Sequence, residues 1–303
     1  MHKCRTFFIA GLLSGAAAVC LFFLLIVPHT VHTERSSSSW VLSVSVPVDG
    51  RQGIAADGTY YWISGSRSLV KYDKNWKQIA RNDDPFAGYA VEVNHLGDIA
   101  VYNNDIYAGA EYFSDGEGKN IQMAVYDGNT LLLKKTFIFQ EQSGQKECSG
   151  IAVNPDEKKI VMCSWVGEES GRYLYEYSLE TGTYLRKVHL QCPPQWLQGV
   201  AYYKGRYYLT ADDGTADDSE PDHIYRVTVY PDVSYAAVLP EKTLDDVKFQ
   251  GEIEGLTFDP VTDQLLVLYN RGSRIVLGMV KGFYPGYDKE ISEVFLYNRK
   301  YQK

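Results

Sequence analysis

Gly150-Ile151-Ala152-Val153-Asn154-Pro155-Asp156, followed by Lys159-Ile160-Val161-Met162-Cys163, reads as a short apolar strand, a tight turn and a returning strand. The opening phrase recurs at Gly53-Ile54-Ala55, Asp98-Ile99-Ala100, Gly199-Val200-Ala201 and Gly255-Leu256-Thr257, with Asp in the Gly slot of the second copy. The intervals of 45, 52, 49 and 56 residues match a repeating four-stranded unit with loops of variable length. In the first unit, residues 53–56, 59–64, 69–72 and 77–80 alternate with Asp57-Gly58, Gly65-Ser66-Arg67 and Asp73-Lys74-Asn75. Apolar runs of period two separated by turn residues predict a meander of four strands. No run of ten or more residues beyond residue 34 carries a helical period, so this part of the chain is predicted to be all-β.

A period of this size predicts a β-propeller. Five phrases predict five blades. Six is the alternative, because residues 40–46 and 291–297 also alternate as strands. A propeller commonly closes by pairing an N-terminal strand into its last blade, which removes a free edge and leaves one of these two strands surplus.

The first 33 residues carry His2, Lys3 and Arg5, then no Asp, Glu, Lys or Arg before Glu34. The apolar run 6–27 would span about 33 Å as a helix at roughly 1.5 Å per residue, the thickness of a hydrocarbon core. It is longer than a signal-peptide core, and Val31-His32-Thr33 is a poor cleavage site. The expected order is therefore a cytoplasmic tail 1–5, a transmembrane signal anchor 6–27, a linker 28–39 containing Ser36-Ser37-Ser38-Ser39, and a propeller domain 40–303. Cleavage of the leader is the alternative. Lys3 and Arg5 place the N-terminus in the cytoplasm and the domain outside, at a cell surface, in a periplasm or in a secretory lumen. Without those two residues, 28 Lys and Arg face 38 Asp and Glu, about −10 in all, which argues against nucleic acid as a partner. Oligomeric state leaves no mark on the sequence.

Cys148, Cys163 and Cys192 lie in the outer part, where disulfides are permitted. Cys148 and Cys163 flank one hairpin, so one bridge and one free thiol are expected, with three free thiols as the alternative.

The stretch Ile253-Glu254-Gly255-Leu256-Thr257-Phe258-Asp259-Pro260, followed by Leu265-Leu266-Val267-Leu268-Tyr269-Asn270-Arg271-Gly272, resembles a hairpin of phytase-like and esterase-like propellers. The repeat as a whole is similar to the broader superfamily that includes NHL-type, YVTN-type and gluconolactonase-like proteins, although no NHL tripeptide is present. The resemblance implies a propeller fold and, more weakly, hydrolysis. A highly phosphorylated substrate would require several cations or a basic cluster, and only Arg51 and Arg271 are available.

Residues just before each phrase should converge at one face of the central channel: Arg51 and Gln52, His95 and Asp98, Glu147 and Ser149, Trp196 and Gln198, Glu252 and Glu254. Glu111, Trp165, Asp212, Asp213, Asn270 and Arg271 end the neighbouring strands. The candidate ligand-binding residues are Arg51, Gln52, Asp98, Ser149, Trp165, Trp196, Gln198, Glu252, Asn270 and Arg271, with the two tryptophans placed to stack on a sugar ring or peptide side chain. Such polar groups would also serve to close a channel mouth. An enzyme would use Glu254 and Asp212 as acid and base, with His95 as a further base. Asp212, Asp213, Asp217 and Asp218 are hard oxygen ligands suited to Ca²⁺, though without an EF-hand pattern; no other cofactor is expected. Nucleophile-elbow, zincin, Cys-x-x-Cys and phosphate-loop motifs are absent from the outer part. Two functions fit: binding of a peptide, glycan or small molecule at the mouth, or phytase-like or esterase-like hydrolysis.

Overall fold

The computed structural model describes residues 39–300 except 167, 168 and 249. The tail, anchor and most of the linker lie outside these residues. Among the described residues no helix is long and apolar enough to cross a membrane.

The described residues are all-β apart from two single 3-10 turns. After β1 (Ser39–Pro47) comes a first meander of β2 (Gly53–Ala56), β3 (Tyr61–Gly65), β4 (Ser68–Tyr72) and β5 (Gln78–Asn82). The second is β6 (His95–Tyr102), β7 (Asp105–Ser114), β8 (Glu117–Asp127) and β9 (Leu133–Ile138). The third is β10 (Gly150–Asn154), β11 (Lys159–Cys163), β12 (Tyr173–Ser178) and β13 (Tyr184–Gln191). The fourth is β14 (Leu197–Tyr203), β15 (Arg206–Ala211), β16 (His223–Val227) and β17 (Tyr235–Thr243). Parallel pairing of β13 with β17 joins the third and fourth into one eight-stranded sheet. The chain ends with β18 (Gly251–Phe258), β19 (Leu265–Arg271), the hairpin β20 (Ser273–Val276) and β21 (Met279–Phe283), and β22 (Ile291–Lys300).

The last sheet runs β18, β19, β22, β1. Neither terminal strand is surplus. Residues 273–283 leave the sheet as a separate hairpin, so β22 takes the third place and β1 the fourth.

The inner strands β2, β6, β10, β14 and β18 pack each against the next, and β18 returns to β2, which makes the arrangement propeller-like. Alternation along a strand explains the repeated phrase. Ile54, Ile99, Ile151, Val200 and Leu256 each join the apolar cluster shared with the preceding sheet. Ala55, Ala100, Ala152 and Ala201 face the sheet that follows. Burying each of the larger side chains contributes about 1.5–3 kcal/mol. The turns repeat a second device: Asp57, Asn154 and Asp259 each accept two backbone N–H bonds through one side-chain oxygen.

Asp98, expected among the ligand contacts, is instead the pin on the axis. Its Oδ1 accepts from the amides of Ile99 (2.8 Å) and Ile54 (3.3 Å), and its Oδ2 from Val200 (3.2 Å), tying three inner strands together. Burial raises its pKa, while the three N–H bonds pull the other way. Three of the glycines in the phrase, Gly53, Gly199 and Gly255, make room for it. A Cβ at Gly255 would overlap Asp98 Oδ1, and one at Gly53 would lie 2.6 Å from the same oxygen. One carboxylate thus fills space that the other copies leave empty.

Among the described residues no disulfide forms; Cys148, Cys163 and Cys192 are all free. Cys148 packs among Tyr107, Met123 and Ile151, between the second and third sheets. Cys163 packs among Ala152 and Leu209, between the third and fourth. Opposite faces of one sheet separate the two sulfurs.

Candidate functional site

All five inner strands start at the same end of the channel, and there the side chains of Arg51, Gln52, His95, Phe113, Glu147, Ser149, Trp165, Gln198, Glu252 and Glu254, with Gly278, line a cavity of about 40 Å³. The far end opens into a wider cavity of about 270 Å³, walled by groups such as Tyr202, Tyr203 and Phe258. Its carboxylate, Asp57, is already bonded to the amides of Thr59 and Tyr60. The concentration of uncommitted polar chemistry is at the first end, the mouth.

One side of the mouth is an ion network. Arg51 Nε donates to Glu290 at 2.8 Å, and its Nη2 lies 3.2 Å from Glu252 and 3.7 Å from Glu254. Gln198 Nε2 donates to Glu252 at 2.8 Å, and Asn270 Nδ2 to Glu254 at 2.7 Å. Desolvation raises the pKa of both Glu252 and Glu254, and Arg51 offsets part of that rise. Asn270 also holds the Arg51 carbonyl and accepts from Ser292, so it positions the network without lining the cavity.

The opposite side has no fixed cation. Glu147 accepts from the amide of Trp165, and the carboxyl of Glu111, fully buried behind it, is near enough to raise its pKa further. Two desolvated carboxyls so near one another do not both ionise readily. Burial pushes Glu111 up to about 8 and Glu147 well above the usual carboxylate range. His95 Nδ1 sits 3.7 Å from Glu111, but burial pulls the imidazole down to about 4, so at neutral pH the contact joins two uncharged groups and is not an ion pair. His95 Nδ1, both Glu111 oxygens and Trp165 Nε1 are buried with no hydrogen-bonding partner among protein groups. His95, Phe113, Trp165 and Trp196 form a continuous aromatic wall, with successive ring centroids 5.4, 6.3 and 4.8 Å apart.

Glu111 gives a direct test through pH. Its folded pKa lies above the ordinary 4.5, so between 4.5 and about 8 the folded chain holds a proton that the unfolded chain has released. Stability therefore falls as pH rises through that window. Glu111→Gln imitates the protonated form and is expected to flatten the decline, raising stability at pH 9 by a few kcal/mol, at about 1.4 kcal/mol per pKa unit. Urea denaturation at pH 5, 7 and 9 checks this, and parallel profiles for the variant and the natural chain would refute it.

The mouth gathers most of the residues expected there, with corrections. Arg271 turns outward and pairs with Glu293 at 2.6 Å and with Tyr287. Asp212 does not line the cavity; it lies behind Glu252, beside Asp222, and both carboxyls are raised by burial. Asp213 is bonded to His223 and Tyr225, Asp217 to Arg274, and Asp218 to Thr215. These four aspartates form no ligand set: among the described residues no three His, Cys, Asp or Glu are arranged to hold a metal. Glu254 and His95 do line the cavity, whereas their expected partner Asp212 does not.

Phe113 and Gly278 are additions. Phe113 comes from the long β7–β8 hairpin and Gly278 from the β20–β21 turn, and the two elements touch over the mouth, Gly278 against the Phe113 ring and Gly116 against Leu277. Their signals in the sequence were the enlarged second interval of 52 residues and the insertion after Arg271.

No protein-family model matches the chain, and no curated protein matches it. Among solved structures, it is similar to the PQQ-bound aldose sugar dehydrogenase of Streptomyces coelicolor, with 12% identity over 86% of this chain and 99% of that one, and a TM-score of 0.47. It is also similar to a gluconolactonase of Xanthomonas campestris (12% identity, 79% and 68% covered, TM-score 0.44). A third likeness is to the hydrazine synthase of Kuenenia stuttgartiensis (13% identity, 77% and 60% covered, TM-score 0.44). At these scores none carries an argument about activity.

Proposed function

We propose that this chain is a membrane-anchored, extracytoplasmic five-bladed propeller that binds a peptide, glycan or small molecule at the channel mouth. The five four-stranded units are the blades, and β1 closes the last. The observation that carries the reading is the convergence of inner-strand side chains on one cavity, two of whose lining residues carry buried, unbonded nitrogens, Trp165 Nε1 and His95 Nδ1. Buried polar groups are nearly always paired, so such a set fits partners supplied by a ligand. The anchor reading rests on the apolar run 6–27.

The test is a binding screen of short peptides, oligosaccharides and metabolites on the full-length chain, followed by tryptophan fluorescence. Trp165→Ala with Trp196→Ala is expected to weaken any mouth ligand by about tenfold or more, the scale of losing aromatic contact area. Unchanged affinity in the folded double variant would remove the mouth as the site.

The second reading, hydrolysis, is favoured by one observation: Glu147, whose pKa burial and the neighbouring Glu111 raise, lines the same cavity as Glu254 and is placed to act as a general acid. Turnover of ester or glycoside substrates that Glu147→Gln abolishes would establish it. A polyphosphate substrate has little support, because Arg51 is already surrounded by Glu252, Glu254 and Glu290.

A further inference from the structure

We infer that the mouth recognises a primary ammonium group with a carbonyl oxygen close beside it, the unit found in an amino-acid amide or at the amino terminus of a peptide. The inference rests on the reading of the mouth as a ligand site and specifies what enters it.

Counter-ions come first. On the Arg51 side, Glu252 and Glu254 have a fixed guanidinium. On the other side, no Lys or Arg among the described residues forms a salt bridge with Glu111 or Glu147. Buried carboxyls without a counter-ion must hold a proton or accept a cation. An ammonium supplies both the charge and three donors. It suits the acceptors at hand on the cavity wall, the Glu147 carboxyl and the unpartnered His95 Nδ1. A metal ion does not suit them, because no three ligating side chains are arranged around a common point among the described residues.

Size and aromatic surface narrow the choice. About 40 Å³ holds roughly three waters, so a head group of a few heavy atoms enters and a pyranose ring does not. Phe113 and Trp165 wall the same cavity, and aromatic rings there favour a cation over a neutral group of the same size. Trp165 Nε1 is a donor with nothing to donate to, so the ligand should also bring an acceptor. An ammonium with a neighbouring carbonyl meets both needs; a simple alkylammonium meets only one.

Calorimetry on the full-length chain with glycinamide, triglycine amide, N-acetyl-triglycine amide, ethylammonium and glucose tests the assignment. Glycinamide or triglycine amide should bind at least about tenfold more tightly than the acetylated peptide and ethylammonium, the scale of one charge-assisted hydrogen bond. Whichever of those two binds better identifies the source, a free amino-acid unit or a peptide terminus. Glu147→Gln, which keeps the shape of the protonated carboxyl, should weaken both by a similar factor. If that variant does not fold, the acetylation comparison decides alone. Equal binding of the acetylated peptide, or binding of glucose alone, would overturn the ammonium assignment. If that binding still required Trp165, the mouth would remain a ligand site. Absence of binding by both amine-bearing amides also overturns the assignment, and the wider ligand screen then judges the mouth independently.

Discussion

Asp98→Ala is expected to destabilise the domain by about 3–9 kcal/mol, from three buried amides each losing an acceptor at roughly 1–3 kcal/mol. Against a typical total of about 5–15 kcal/mol, that brings the fold close to its limit. The affected amides belong to Ile54, Ile99 and Val200, on three different inner strands, so the loss falls on the ring as a whole. No water-facing edge is available to them, since Asp98 is 1% exposed. Asp98→Asn should be milder: its oxygen can keep the bonds to Ile54 and Ile99, while its amide N–H meets the N–H of Val200. Asp98→Gly would restore the phrase found in the other four repeats and should still fail, because those glycines make space and supply no acceptor. Guanidinium denaturation of the three variants measures the order, and a midpoint for Asp98→Ala equal to that of the natural chain would dismiss the pin.

The repeat was legible because each position in the phrase has one physical task. The first must leave the axis clear, the second packs a large side chain backward, and the third packs a small one forward. The departure at Asp98 was visible as well, but its meaning was not: a residue just before Ile-Ala is equally well placed to reach the mouth or to lie along the axis. The paired carboxyls were harder to see. Glu111 and Glu147 are 36 residues apart on different sheets, and only the packing of the third sheet against the second brings them together. Strand alternation would put Cys148 on the face of Gly150, whose register partner is Cys163; β10 begins only at Gly150, and Cys148, before it, packs with Ile151 toward the preceding sheet while Cys163 faces the following one. Arg271 fails by alternation, since its neighbour Asn270 already occupies the inward face of β19.

Arg51→Met should produce the second large effect, a loss of about 3–5 kcal/mol near neutral pH, the usual result of removing one partner from a buried ionic cluster. Arg51 neutralises Glu252 and Glu254 and also holds Glu290, and burial has already raised the pKa of the first two. Without the guanidinium, both should rise further. A carboxyl whose folded pKa lies above its unfolded value keeps its proton in the folded chain, so the folded state binds more protons than the unfolded one. Stability then falls as pH rises above the ordinary 4.5, and the variant should fall more steeply than the natural chain. The deficit is accordingly expected to be small at pH 5, where the network can take up protons, and large at pH 8. Adding Glu252→Gln removes one of the stranded charges and should restore part of the loss at pH 8 while changing little at pH 5. Denaturation of the natural chain, the single variant and the double variant at both values decides the matter. A deficit of the same size at pH 5 and pH 8 would mean that Arg51 acts through its packing, and the mouth would not be the charge-balanced site described here.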